Sequence, residues 1–251
     1  MKKHSGNIFI GIIYFLLYAP LLVMVFFSFN EAKSTSVFTG FSLKWYRELF
    51  SSSTTMTALK NTLILAVLSS VIATVIGTAA AVYIYYLRKK WWKNTLDIVT
   101  NIPMMNPDIV TGVSLMLLFV FVGRLVGAAN SLSFITLLIA HITFNLPYVI
   151  LNVLPKLNQT DSHLVEAAQD LGSTPTEAFF RVILPAIMPG VTSGLLMAFT
   201  LSLDDFVISY YTTGSSFQTL PLLIFSMTKK AVKPDMYALS TIIFVTVLVL
   251  L

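Results

Sequence analysis

The chain has 251 residues, 56% of them hydrophobic and only 11% charged, with a net charge of +5 and a mean hydropathy of +0.83. A soluble domain carries about 25% charged residues, so the composition excludes an ordinary soluble protein and points to an all-α, polytopic membrane protein. The lack of cysteine excludes disulfides and thiolate chemistry, His4, His141 and His163 show no metal-ligand spacing, and the basic residues sit in short interhelical stretches that argue against nucleic acid.

Runs long enough to cross a hydrocarbon core of about 30 Å predict six transmembrane helices. The first, 8–29, follows Met1-Lys2-Lys3-His4. It is too long for the apolar core of a signal peptide and no small-residue cleavage site closes it, so it reads as a retained span. A polar segment with Trp45, Tyr46 and Arg47 follows. The second span, 59–87, carries Ser69, Ala73, Gly77 and Ala81 at every fourth position. Such a stripe lets another helix approach closely, although small residues are common in any membrane helix. Arg88-Lys89-Lys90-Trp91-Trp92-Lys93 then forms a basic and aromatic cluster of the kind found on the cytoplasmic side.

The third span, 98–122, opens with Pro103 and Pro107 around Met104-Met105-Asn106, followed by Asp108. Two prolines that close predict a broken or kinked start. The fourth span is 132–154, with Pro147 inside it, the fifth is 187–211, and the sixth is 236–251. The sixth stops inside an apolar run, short of the roughly 20 residues a span needs, and predicts a native C-terminus beyond Leu251. A cytoplasmic N-terminus puts both 88–93 and 155–185 in the cytoplasm. The Lys/Arg count favours this by eight to seven, with Lys60 at a boundary and Lys229, Lys230 and Lys233 opposing it.

Between the fourth and fifth spans lies Glu-Ala-Ala-Gln-Asp-Leu-Gly-Ser-Thr-Pro-Thr-Glu-Ala-Phe-Phe-Arg-Val-Ile-Leu-Pro, residues 166–185. Thr160, Asp161 or Ser162 is placed to cap a helix that runs to Leu171, and Gly172 suits the left-handed residue that ends it. Ser173 or Thr174 then caps a second helix, with Pro175 at its first position and Glu177 close behind. Pro185 is expected to separate this helix from the fifth span. The segment offers no nucleophile–base pair. Glu166, Asp170 and Arg181 around Phe179 and Phe180 make a docking surface, or else an amphipathic connector at the membrane interface.

This stretch resembles the coupling loop of ATP-binding-cassette importer permeases: Glu166-Ala167-Ala168, Gly172, then Val182-Ile183-Leu184-Pro185, with valine where isoleucine is usual. Asn61-Thr62 and the second to sixth spans extend the resemblance over about 57–251 to the type I, MetI-like importer domain, leaving 1–56 as an N-terminal helix and external segment. Residues 199–209, Thr219-Leu220-Pro221-Leu222 and 101–112 are similar to the spermidine/putrescine branch of that family, while iron(III) and phosphonate relatives share much of the frame. The resemblance implies an elbow at 161–185 seated in a cleft of a cytoplasmic ATPase through Glu166, Ala167, Ala168, Asp170, Gly172, Phe179, Arg181, Leu184 and Pro185. It also implies a second related permease, a homodimeric ATPase that holds the ATP and Mg²⁺, an external periplasmic binding protein, a bacterial inner-membrane location, and no cofactor or catalysis in this chain.

Three carboxylates fall inside the expected spans: Asp108, Asp204 and Asp205. A charge at the bilayer centre costs about 2.5–3.5 kcal/mol on insertion scales, so these side chains should face protein or water. Asp204 and Asp205 lie about 100° apart on a helix, so one can face a path and the other a neighbour. A polyamine needs separated acidic or aromatic stations that attract without holding. Phe206, Tyr210 and Tyr211 would add cation–π contacts of about 0.5–2 kcal/mol. The competing expectation is that the two aspartates satisfy donors of a broken helix and never meet substrate.

Two other classes fit the sequence less well. An ion-coupled secondary transporter would use Asp108 and Asp204, but no inverted repeat is evident; an intramembrane protease lacks a motif that sets two catalytic groups across from one another. No Gly-x-x-x-x-Gly-Lys-Ser/Thr loop is present, so the energy source lies outside this chain. Gly190 and Gly194 match Gly-x-x-x-Gly, which alone is a weak packing signal, and His141 reads as a packed polar residue.

Overall fold

The computed structural model describes residues 2–32, 37–127, 132–161, 163–215, 217–229 and 234–250. Twelve α-helices account for most of them: α1 Lys2–Ser28, α2 Lys44–Ser51, α3 Ser53–Tyr86, α4 Lys90–Met105, α5 Asp108–Leu125, α6 Phe134–Gln159, α7 His163–Asp170, α8 Pro175–Ala178, α9 Leu184–Asp204, α10 Val207–Thr212, α11 Leu220–Thr228 and α12 Pro234–Leu250. Lipid cannot satisfy backbone donors and acceptors, so an apolar chain of this kind closes its hydrogen bonds within helices. Five described stretches are long and apolar enough to span: Phe9–Ser28, Ser53–Tyr86, Asp108–Leu125, Phe134–Gln159 and Pro175–Asp204. The expected sixth, 236–251, corresponds to α12, which at 17 residues is shorter than these.

The break expected at the start of the third span, 98–122, is present, because α4 ends at Met105 and α5 begins at Asp108, whereas the fifth expected span is corrected. Pro107, at φ −58° and ψ 135°, turns the chain between them, and it also forces Asn106 into an extended conformation. The fifth does not run to Tyr211. It ends at Asp204, and a separate six-residue helix follows after Asp205 and Phe206.

The helices fall into two compact units, Met1–Leu59 with Leu222–Leu251, and Lys60–Pro221. In the first, α12 packs against α1 and α2. Trp45 donates its indole N–H to the carbonyl of Asn30 at 2.6 Å, and Ser28 and Tyr46 share a hydroxyl contact at 2.6 Å. A short amphipathic helix thereby buries Trp45 and Leu49.

In the second unit α6 is the central column. It packs along α9 and touches α4, α5 and α10. The small-residue stripe of α3 is used: Ser69, Ala73 and Ala81 are fully buried, and a Cβ on Gly77 would lie 2.7 Å from Val149 Cγ1. From α9, a Cβ on Gly190 would lie 2.7 Å from the Asn152 carbonyl oxygen, and one on Gly194 would lie 3.3 Å from Val149 Cα. The Gly-x-x-x-Gly match therefore does mark a helix contact. Asn145 of α6 donates its amide to Ser202 of α9 at 2.7 Å, and Ser202 meets Ser69 of α3 at 2.9 Å. This hydrogen-bonded triad ties the three helices at one level. Asn61 donates to the Gln218 carbonyl at 3.0 Å and Leu220 N–H to Thr62 Oγ1 at 2.7 Å, so Asn61-Thr62 and Thr219-Leu220, far apart in sequence, join.

Candidate functional site

Two places hold the residues singled out from the sequence: the elbow between α6 and α9, and the helix breaks beside Asp108 and Asp204. The elbow is built by local rules. Asp161 Oδ1 accepts from the His163 N–H at 3.0 Å and starts α7; the alternative cap Ser162 lies outside the described residues. Gly172 has φ +89°, a conformation that disfavours every residue with a Cβ. Its N–H and that of Ser173 return to the carbonyls of Gln169 and Ala168 and close α7. Thr174 then caps α8: Glu177 N–H donates to Thr174 Oγ1, and Thr174 N–H donates to Glu177 Oε2 at 3.0 Å. Pro175 occupies the first helical turn, where its missing N–H costs nothing.

Pro185 does not separate the elbow from the span. Residues Phe179–Ile183 form a single π turn that passes directly into α9, with the Leu184 N–H reaching back to the Phe179 carbonyl. The wide turn has already broken the ordinary ladder, so a proline lacking its N–H fits immediately after it. The elbow helix and the membrane helix are consequently one element.

The elbow's outer surface carries Glu166, with a side chain 74% exposed, together with exposed Ala167, Asp170, Gly172, Arg181 and Pro185. Ala168 is buried, while Leu184 and Phe179 pack onto the hydrophobic core. Phe180 and Leu171 instead present the large apolar surface. In the sequence Leu171 marks only the end of the first elbow helix; the sign of its exposure is its place directly before the αL glycine, where nothing remains to cover it. His163 Nδ1 lies 3.1 Å from Glu166 Oε2. This hydrogen bond, followed by the charges of Glu166 and Asp161, raises the histidine pKa above its ordinary value. Glu177 is held below its ordinary value by the Thr174 backbone and hydroxyl donors and by the Arg181 charge. Beneath the elbow is a cavity of about 170 Å³, lined by Tyr85 and Tyr86 from the end of α3 and by Leu157, Asp161, Glu166 and Ile183 among others. The end of α3 and the elbow thus share one end of this unit.

At the break between α9 and α10 the adjacent acids have different surroundings. Asp205, with a side chain only 7% exposed, accepts from the Ile208 N–H at 3.2 Å and the Ser209 N–H at 2.7 Å, closing the start of α10. Buried His141 of α6 places Nε2 3.4 Å from Asp205 Oδ2 and 3.1 Å from Ser209 Oγ. Asp204 is exposed at the end of α9. Tyr210 is exposed as well, its ring tilted against that of Phe206 with centroids 5.6 Å apart. Tyr211 points the other way: its ring lies 3.0 Å from where a Gly112 Cβ would sit, so α5 and α10 meet over that glycine. Asp108, exposed in the first turn of α5, precedes Gly112 by about one helical turn and shares its face. His141, which the sequence marked only as a packed polar residue, holds the joint.

A family profile described as "Binding-protein-dependent transport system inner membrane component" matches residues 73–251. The chain is 41% identical over 246 residues to the spermidine/putrescine transport system permease protein PotC of Haemophilus influenzae, covering 97% of this chain and 92% of that protein. It is 40% identical over 227 residues to the putrescine transport system permease protein PotI of Escherichia coli K12, covering 90% and 81%. A crystal structure of a bacterial ABC transporter involved in import of the acidic polysaccharide alginate superposes with a TM-score of 0.75 at 16% identity, over 99% of this chain and 91% of that one. At that identity the match speaks for the fold alone.

Proposed function

The chain belongs to the family of binding-protein-dependent transport system inner membrane components, and we propose that it is a permease subunit of an ATP-driven importer, forming half of a path for polyamines. The observation that carries this reading is the continuous element from Pro175 to Asp204. It begins in an exposed, capped elbow and ends at an exposed carboxylate beside aromatic rings. Its two ends suit two tasks, receiving a push and meeting a cation.

The elbow seats in a cleft of a cytoplasmic ATPase, with Glu166, Ala167, Asp170 and Arg181 at the contact and Phe180 and Leu171 supplying apolar area. ATP and Mg²⁺ are held by that homodimeric ATPase, and this chain hydrolyses nothing. A second, related permease completes the path, and an external binding protein delivers substrate. The cytoplasmic end is the one shared by the elbow and the basic residues 88–93, which gives a cytoplasmic N-terminus. Asp204 and Asp108, with Phe206 and Tyr210, act as weak stations for successive ammonium groups. Asp205 serves the joint, Tyr211 packs on α5, and neither contacts substrate. The choice of cation draws on the named bacterial relatives and on the acidic and aromatic character of the breaks.

The test is ATPase stimulation in the reconstituted complex, with spermidine and putrescine set against iron(III) and anionic ligands, each with its binding protein. Polyamine-specific stimulation that Glu166→Lys abolishes supports coupling and substrate class together. Turnover and uptake indifferent to Glu166→Lys would sink the elbow assignment. Stimulation by another ligand alone would sink the polyamine.

A further inference from the structure

Helix α4 contains no buried residue, yet one side of it is fixed to the protein. Leu96 packs into the core formed by α3, α6 and the π turn, and Lys93 Nζ stands 5.8 Å from the centre of the Tyr85 ring. The opposite side is left open. Trp91, Ile98, Ile102 and Met105 follow one another at intervals that keep them within an arc of about 60°. All four are exposed, Trp91 by 69% and Met105 by 85%. Immediately before this ridge stand Arg88, Lys89 and Lys90, all exposed. Among the described residues, no carboxylate lies within ion-pairing distance of these three cations.

The order along the helix is graded: guanidinium and ammonium groups, then the indoles of Trp91 and Trp92 in edge contact at 4.8 Å, then aliphatic side chains. From Trp91 to Met105 the helix rises about 21 Å, close to the depth of one leaflet with its headgroups, about 20 Å. Cations suit phosphodiesters, indoles suit the interface and aliphatic side chains suit acyl chains. Unpaired cations placed directly above an apolar ridge have a charge complement in an anionic headgroup that a zwitterionic one lacks. We propose that the outer face of α4 is a docking surface for anionic phospholipid, with Arg88, Lys89 and Lys90 on the headgroup and Trp91, Ile98, Ile102 and Met105 along the acyl chains.

The chain's three tryptophans provide the probe, because Trp45 is buried and held by its own hydrogen bond while Trp91 and Trp92 are not. The chain is placed in phosphatidylcholine liposomes containing a graded share of either brominated phosphatidylglycerol or brominated phosphatidylcholine, and indole quenching is read. Each basic residue near a membrane surface favours anionic lipid by roughly five-fold, so brominated phosphatidylglycerol is expected to quench at several-fold lower mole fraction. Arg88→Gln/Lys89→Gln/Lys90→Gln should erase that preference while brominated phosphatidylcholine still quenches, a sign that the variant remains folded and inserted. Equal quenching of the unaltered chain by both lipids overturns the proposal, as does a preference that survives in the triple variant. Quenching in the lone chain that disappears on assembly with the other subunits also overturns it, since protein would then cover the face. None of these results depends on which substrate is transported.

Discussion

The contrasting surroundings of Asp204 and Asp205 predict that neighbouring substitutions have opposite consequences. Asp205→Ala removes the acceptor of two backbone N–H groups, at 3.2 and 2.7 Å, and leaves His141 without its charged neighbour at 3.4 Å. Losing a helix cap costs about 0.5–2 kcal/mol, and orphaning a buried polar group costs about 1–3 kcal/mol. The sum, roughly 1.5–5 kcal/mol, is large for a membrane helix joint and should lower the unfolding temperature of the purified chain. Asp205→Asn keeps an acceptor oxygen and should fall between. Asp204→Asn touches an exposed side chain and should leave stability within about 0.5 kcal/mol. It should instead weaken polyamine uptake, by about five-fold if one screened carboxylate–ammonium contact is worth about 1 kcal/mol. Thermal unfolding in detergent and uptake into proteoliposomes are measured on all three variants. A stable Asp205→Ala that has lost uptake, beside an Asp204→Asn with normal uptake, would refute the division of roles.

Gly190→Ala should destabilise the chain by about 1–3 kcal/mol, and more than Gly77→Ala, because its Cβ meets a backbone oxygen at 2.7 Å whereas the Gly77 Cβ meets a valine methyl; thermal unfolding of the two variants ranks them. Ser202→Ala breaks the bonds to Asn145 and Ser69 and should cost about 1–2 kcal/mol, while Asn145→Ala in the same background should add less than it does alone, read from a double-mutant cycle. In the elbow, His163 has its pKa raised by Glu166 above an ordinary 6.5, so its contribution is complete below 6.5 and is lost as pH rises through the raised value. Glu177 is lowered from an ordinary 4.5, so its contribution is complete above 4.5 and is lost as pH falls through the lowered value. The elbow should be best ordered between these limits, and an NMR titration of the His163 ring should show its midpoint falling in Glu166→Gln.

Features decided within a few residues were legible in the sequence. Gly172, Thr174, Pro175 and Glu177 occupy the turn and cap positions their chemistry demands, since each is fixed by neighbours one to four residues away. The break near Pro107 was legible for the same reason, although not that a full helix, α4, precedes it. Pro185 misled because the local rule that proline ends a helix is overridden by a π turn, which depends on how Phe179 and Ile183 pack into the core. The adjacency of Asp204 and Asp205 shows that they diverge. Which of them turns inward depends on His141, more than 60 residues away and on another helix. Phe179 and Phe180 posed the same problem: both look alike in the chain, and only the core beneath the elbow decides which is buried.

The absence of a hinge at Pro185 sets a mechanical scale. The stretch from Pro175 to Asp204 is 30 residues long, so when it moves as one body it makes a lever about 45 Å in length. Pivoting such a lever by about 5° at the elbow displaces its far tip by about 4 Å, more than the length of any hydrogen bond. The contacts that the tip makes cannot stretch that far, so motion imposed at one surface must end in slippage at Asp205, where the lever stops and a new helix begins.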